Sequence, residues 1–260
     1  MKSFSRRSLL GQSLRMAGAG GVGLPLVGAV ATGTSDGGAN NERRLKVIVA
    51  GGHPDDPESG CGGTIARYTD LGHEVVAMYL TRGEAGIEGK SHEEAAKIRT
   101  AEALKACEIL KARAVFAGQV NGATEVSAAR YAEFRKLLES ERPDLVFTHW
   151  PIDTHPDHRA ISLLVYDAWL RAGKKYALYY FEVMSGSQTQ QFWPTHYVDI
   201  IATEARKRAA CFVHKSQNPA EWYSLHEEMN RFRGMECGRK YAEAFVRHVQ
   251  SPDASLPLAM

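Results

Sequence analysis

Hydrophobic and polar positions along the chain fall into blocks whose period changes from two to nearly four and back. Leu45-Lys46-Val47-Ile48-Val49-Ala50 is a compact β-branched run ending in Gly51-Gly52, which reads as a strand entering a loop. Past it, the spacing predicts a helix over 64–71, a strand over 74–80, a long helix over 92–111 and a short strand over 114–117. A helix over 128–141 stops before Pro143, a continuous apolar strand follows over 145–149, and the next helix covers 157–171. Strands over 177–183 and 197–201, with helices over 203–214 and 220–235, complete the pattern. This alternation predicts the α/β class: a single Rossmann-like domain with a mostly parallel sheet and helices on both faces.

The amino terminus departs from that pattern. Residues 1–31 carry Lys2, Arg6, Arg7 and Arg15 and no acidic side chain. Ser5-Arg6-Arg7-Ser8-Leu9-Leu10 holds a twin-arginine pair, and the mildly apolar stretch from Met16 ends in the small-residue pattern Ala29-Val30-Ala31. Residues 1–31 therefore read as a twin-arginine signal peptide, with export to a periplasmic or extracellular location. Met16 to Ala31 contains five glycines and Pro25 and is short for a bilayer span, so no stable membrane span is expected after its removal. Residues 32–44, rich in Thr, Ser, Gly, Asp and Asn, read as a flexible linker, and 45–260 as the catalytic domain.

Loss of 1–31 changes the charge balance. Of 32 Lys plus Arg, 32 − 4 = 28 remain against 30 Asp plus Glu, so the formal charge moves from +2 to −2 and nucleic acid is not an expected partner. The four cysteines, at 61, 107, 211 and 237, contain no Cys-x-x-Cys pair and read as buried thiols.

Two clusters carry candidate chemistry: His53-Pro54-Asp55-Asp56 after the first strand and His155-Pro156-Asp157-His158 after the strand over 145–149. Loops at the carboxyl ends of strands in an open α/β sheet converge on one crevice, so the two can share a site. Together they supply His, Asp and His, a suitable donor set for a catalytic zinc that keeps a position for water. Of two adjacent aspartates, one can bind the metal while the other acts as base, and His155 can face a developing oxyanion. His-Pro-Asp is also an ordinary turn sequence. Two such clusters after two predicted strands are more than turn chemistry requires.

These residues resemble the LmbE/PIG-L type deacetylases, zinc enzymes that remove acetyl groups from N-acetylated amino sugars and glycoconjugates. The resemblance rests on the run from His53 to Arg67, on Gly72-His73-Glu74-Val75 and Thr81-Arg82-Gly83-Glu84, on Ile98-Arg99 with Glu102-Ala103, and on His155-Pro156-Asp157-His158. It covers about 45–172 well and the carboxyl-terminal third poorly. It implies His53, Asp56 and His158 as ligands of one zinc (iron is the alternative), Asp55 as general base, and His155 as the oxyanion partner. It makes Arg82 a substrate contact, with a salt bridge to Glu84 or Glu102 as the alternative role, and places Arg99 in a structural network. The implied partner is a small N-acetylated sugar or glycoconjugate, such as one bearing N-acetylglucosamine. Two departures stand out: Pro57 where many members have another acidic residue, and Asp153 where some have a tyrosine.

Other residues receive plainer readings. Gly60-Cys61-Gly62-Gly63 lacks the dinucleotide spacing and reads as close strand-to-helix packing. His149 reads as a core histidine ahead of a supporting role at the site. Trp193, Trp222 and Tyr223 suit either a sugar face or the core, and His73, His92, His196, His214, His226 and His248 read as structural or surface residues. Two rival functions remain. A metal phosphoesterase would release phosphate and use more ligands, and a periplasmic carbohydrate-binding protein would need no base at Asp55.

Overall fold

The computed structural model describes residues 43–254 and 256–257. The expected signal peptide and nearly all of the expected linker lie outside the described residues. From the amino end the chain forms β1 (Lys46–Gly51), α1 (Asp56–Asp70), β2 (Glu74–Tyr79), α2 (His92–Leu110) and β3 (Arg113–Phe116). It continues through α3 (Ala128–Glu141), β4 (Leu145–His149), α4 (Pro156–Arg171) and β5 (Ala177–Phe181), and then through β6 (His196–Asp199), α5 (Glu204–Phe212), α6 (Pro219–Cys237) and β7 (Ala242–Arg247).

The seven strands form one sheet in the order β3-β2-β1-β4-β5-β7-β6. The first five run parallel; β7 is antiparallel to both of its neighbours. Successive strand residues face opposite sides, so each strand feeds two cores. Val47, Val49, Phe147 and Phe181 pack with Ile65 and Tyr68 of α1, while Ile48, Ala50, Met78 and Val146 pack with Phe134, Leu164 and Trp169 of α3 and α4. The near-continuous apolar strands seen in the sequence follow from this double burial. Among the described residues, no helix is long and apolar enough to cross a membrane.

Two elements differ from the sequence reading. Helix α1 begins at Asp56 instead of near 64, so Asp56 is its first residue and not part of an irregular loop. Pro57 pre-sets the helical φ in the first turn, and Asp56 and Glu58 complement the positive end of the helix dipole. The glycines obscured this helix; they admit neighbours, since a Cβ on Gly60 would lie 2.5 Å from Phe181 and one on Gly63 would lie 2.5 Å from Ile200. Strand β7 was not anticipated. Its Ala-Glu-Ala start favours a helix, and pairing with β5 and β6 on its two sides imposes the strand.

The architecture fixes where the site lies. From β1 the chain moves to β2 on one side, while β4 occupies the other, so the carboxyl ends of β1 and β4 border the topological switch point of the sheet.

Candidate active site

Both His-Pro-Asp clusters reach that switch point and share a cavity of about 400 Å³. Gly51 and Gly52 close β1 without side chains where space is short: a Cβ on Gly51 would lie 2.8 Å from Cβ of Asp56, and one on Gly52 would lie 3.0 Å from the His158 ring. The carboxylate of Asp56 turns back to accept the His53 backbone N–H at 2.7 Å.

Three donor atoms meet there. His53 Nδ1 lies 3.2 Å from Asp56 Oδ2, His158 Nε2 lies 3.3 Å from the same oxygen, and the two imidazole nitrogens are 3.3 Å apart. The outer nitrogen of each ring has its own carboxylate. His53 Nε2 donates to Asp157 Oδ2 at 3.0 Å, and His158 Nδ1 donates to Asp153 Oδ1 at 3.1 Å. When each ring carries a single proton, held outward by its carboxylate, both turn lone pairs toward the Asp56 carboxylate. Three mutually close acceptors repel one another unless a proton or a metal ion lies among them. Bonds of about 2.0–2.1 Å around tetrahedral zinc set ligand atoms about 3.3 Å apart, so the spacing fits such an ion.

The titration of these groups also shows a demand for positive charge. Burial pulls His158 down, yet Asp56 and Asp153 outweigh it and hold its pKa up at about 10. Burial likewise opposes protonation of His53, and its hydrogen bonds to Asp157 and Asp56 leave the pKa raised. Burial favours the acid form of Asp56, but the imidazoles of His158 and His149 keep its pKa well below the ordinary value.

His149 and His155 are near enough to belong to alternative donor groups, Asp56-His149-His158 and His53-His155-His158. Each has another partner at one ring nitrogen. His149 Nε2 lies 3.2 Å from the Gly52 amide, and the ring stacks on His158 at 3.9 Å. It is fully buried but also 3.2 Å from Asp56 Oδ2, so it supports the cradle in addition to filling the core. His155 caps α4, its Nδ1 accepting the Asp157 N–H at 3.2 Å, which leaves the proton on Nε2. That ring lines the cavity 4.5 Å from the His53 ring.

Asp55 occupies the position before α1 with φ of 118°, a left-handed conformation that costs a non-glycine residue about 1–3 kcal/mol. Arg99 holds it. One guanidinium nitrogen donates to Pro54 O at 2.6 Å and to Asp55 Oδ2 at 3.2 Å. Gly83 gives the guanidinium room, since a Cβ there would lie 2.5 Å away. Burial raises the Asp55 pKa above its ordinary value, against the lowering effect of Arg99.

Arg99 lies in a structural network, as the sequence suggested, but that network borders the site, whereas Arg82 does not line the cavity. Arg99 is buried and lines the cavity; Arg82 is exposed, and its guanidinium lies 5.4 Å from the centre of the Phe116 ring. The glycine-lined slot admits Arg99 to the site and the flanking chain turns Arg82 outward. The suggested ion-pair partners of Arg82 have other roles: Glu84 accepts backbone N–H groups of Arg82 and Asn121, and Glu102 accepts from Ser216. Sequence reasoning also missed Asn121, whose amide reaches both His53 and Asp157, and the anchoring roles of Asp153 and Asp157. Both aspartates lie within five residues of His158, so their spacing was the available signal.

Fold and cradle together define a class: an open α/β domain with a buried His-Asp-His cluster that could hold a metal ion at the switch point of its sheet. Residues 47–169 match the PIG-L family, described as GlcNAc-PI de-N-acetylase. The diacetylchitobiose deacetylase of Thermococcus kodakarensis is 34% identical over 221 residues, spanning 76% of this chain and 81% of that protein. The chain belongs to the PIG-L family. The N,N'-diacetylchitobiose deacetylase of Pyrococcus horikoshii superposes with a TM-score of 0.70 at 26% identity, covering 78% of this chain and 84% of that one. A 4-carboxy-2-hydroxymuconate hydratase from Pseudomonas putida superposes at 0.71 with 20% identity, covering 82% of this chain and 99% of that one. That last likeness is one of fold alone.

Proposed function

We propose that the protein is a metal-dependent hydrolase that removes the N-acetyl group from an amino sugar or glycoconjugate. The observation that carries this reading is the cradle itself: three acceptor atoms 3.2–3.3 Å apart, with the outer nitrogen of each imidazole tied to a carboxylate. His53, Asp56 and His158 are its proposed ligands. Two imidazoles and one carboxylate suit zinc, and ferrous iron as well. When bound, such an ion supplies Lewis acidity that polarises the amide carbonyl and makes water a better nucleophile.

The remaining residues divide the proton work. Asp55 accepts a proton from the attacking water as its oxygen bonds to the acetyl carbon, and returns a proton to the nitrogen as the C–N bond breaks. Acetate and a free amine leave. His155 keeps its proton on Nε2 at the cavity wall and donates toward the oxyanion that develops on the carbonyl oxygen. Arg99 holds Asp55 in place through the paired contacts to Pro54 and Asp55.

The discriminating experiment is Asp55→Asn in metal-replete protein, assayed for acetate release from a panel of N-acetylated sugars and glycoconjugates. Metal content and ligand binding should persist while kcat falls about 10²–10⁴-fold. Full activity would remove Asp55 from the mechanism, and loss of metal would exchange its role with that of Asp56. Phosphate release without acetate would favour a phosphoesterase; sugar binding without turnover in the unsubstituted protein would favour a binding protein.

A further inference from the structure

Helix α6 gives the cavity a second wall. Trp222 and His226 stand one turn apart on one face of the helix, and both line the cavity. Their rings are near perpendicular, with centroids 5.6 Å apart. The indole is anchored: Trp222 Nε1 donates to Gln217 O at 2.9 Å, and Gln217 Nε2 donates to Gly86 O at 3.0 Å.

His226 differs from the cradle histidines. His53, His155 and His158 each use a ring nitrogen on a protein partner, whereas His226 has no such partner among the described residues. The residue is only 2% exposed, and its unpaired ring nitrogens are not fully enclosed, so the surface the ring keeps is toward the cavity it lines, where a ligand group can pair with it. Burial, reinforced by nearby Lys207, lowers its pKa to about 3, so the ring is neutral and offers one donor and one acceptor. Lys207 itself is committed to Glu243. A flat apolar indole face beside a neutral donor–acceptor pair matches a pyranose, which presents C–H bonds on its face and hydroxyl groups at its edge.

We propose that Trp222 and His226 form the subsite for a neutral sugar ring, the indole lying against its C–H face and the His226 imidazole hydrogen-bonded to a hydroxyl or acetamido group. The link to turnover rests on the deacetylase reading; sugar binding can be tested without it. Binding of N-acetylglucosamine and its β-1,4-linked dimer is measured by titration calorimetry in metal-replete protein carrying Asp55→Asn, and acetate release is followed in protein with Asp55 intact. His226→Leu should weaken Kd and raise KM about 10-fold with kcat changed far less, at unchanged metal content and circular dichroism. His226→Gln should recover part of the loss because its amide keeps both a donor and an acceptor, and Trp222→Leu, at the half-buried neighbour, should weaken binding independently. Unchanged Kd and KM in both His226→Leu and Trp222→Leu would overturn the subsite, as would absence of sugar binding by protein with both residues intact. A fall in metal content or kcat at unchanged Kd would also overturn it and assign His226 to support of the cradle. If no protein releases acetate but sugar binding depends on His226, the deacetylase reading fails and the subsite stands.

Discussion

The strands from β1 to β4 and the part of the chain beyond β5 border the same cavity by different means. The first region concentrates its chemistry in two short motifs at adjacent strand ends. Beyond β5 the contributions are dispersed: Trp222 and His226 come from one face of a helix, and a buried ion pair ties that region to α1. In the pair, Lys207 of α5 donates to Glu243 of β7 at 2.6 Å, and the Glu243 carboxylate also accepts the N–H groups of Gly63 and Thr64 in α1. The contrast separates two tasks. Holding a cation needs groups with fixed local spacing, while shaping a cavity needs a wall held at the right place by long-range contacts.

The largest expected effect comes from cutting that buried tie. Glu243→Gln leaves the Lys207 ammonium buried without its counter-charge and should destabilise the fold by about 3–5 kcal/mol. For a domain of this size that corresponds to a fall in Tm of roughly 6–20 °C. Adding Lys207→Met should recover part of it, because the unpaired charge is then removed. Differential scanning calorimetry decides the matter: a Tm within a degree of the original for Glu243→Gln would show that the buried pair does not hold the two regions together.

A smaller effect tests the first region. Asp153 fixes the His158 ring and Asp157 fixes the His53 ring, so Asp153→Asn and Asp157→Asn should each lower metal affinity about 10–100-fold. Neither residue is a proposed ligand. Competition with a chelator at known free metal concentration measures the change, and wild-type affinity in both variants would mean that the rings are held by packing alone.

The same contrast explains what could be read from the chain. The parallel strands were legible because burial on both faces leaves continuous β-branched runs, as in Val47-Ile48-Val49. The cradle was legible because its histidines and aspartates sit in two compact motifs. The start of α1 was hidden by glycines whose purpose is the close approach of Phe181 and Ile200, neighbours distant in sequence. Strand β7 takes its state from partners on both sides. Arg99 over Arg82, and His226 over the other unassigned histidines, depend on which side chain the fold turns inward; spacing within one segment carries no record of that.

A second tie between the regions is exposed, and it yields the smallest expected effect. Arg206 of α5 reaches the end of α1, donating to both carboxylate oxygens of Asp70 at 3.0 and 2.5 Å and to Ala66 O at 2.7 Å. The hydrogen bond from Arg206 lowers the Asp70 pKa below its ordinary value, with burial opposing it. The sign follows from linkage: a carboxylate with a depressed folded pKa stabilises the fold above its unfolded pKa of about 3.9, and the contribution disappears as pH falls through the folded value. Asp70 is about half exposed, its side chain at 48% relative accessibility, so solvent screening holds the contribution below about 1 kcal/mol. Asp70→Asn should therefore lower Tm by no more than about 2–4 °C at pH 7, and the gap to the unsubstituted protein should narrow as pH falls below about 4. A gap that stays constant from pH 7 to pH 3 would mean that Asp70 acts through geometry at the end of α1 and not through its charge.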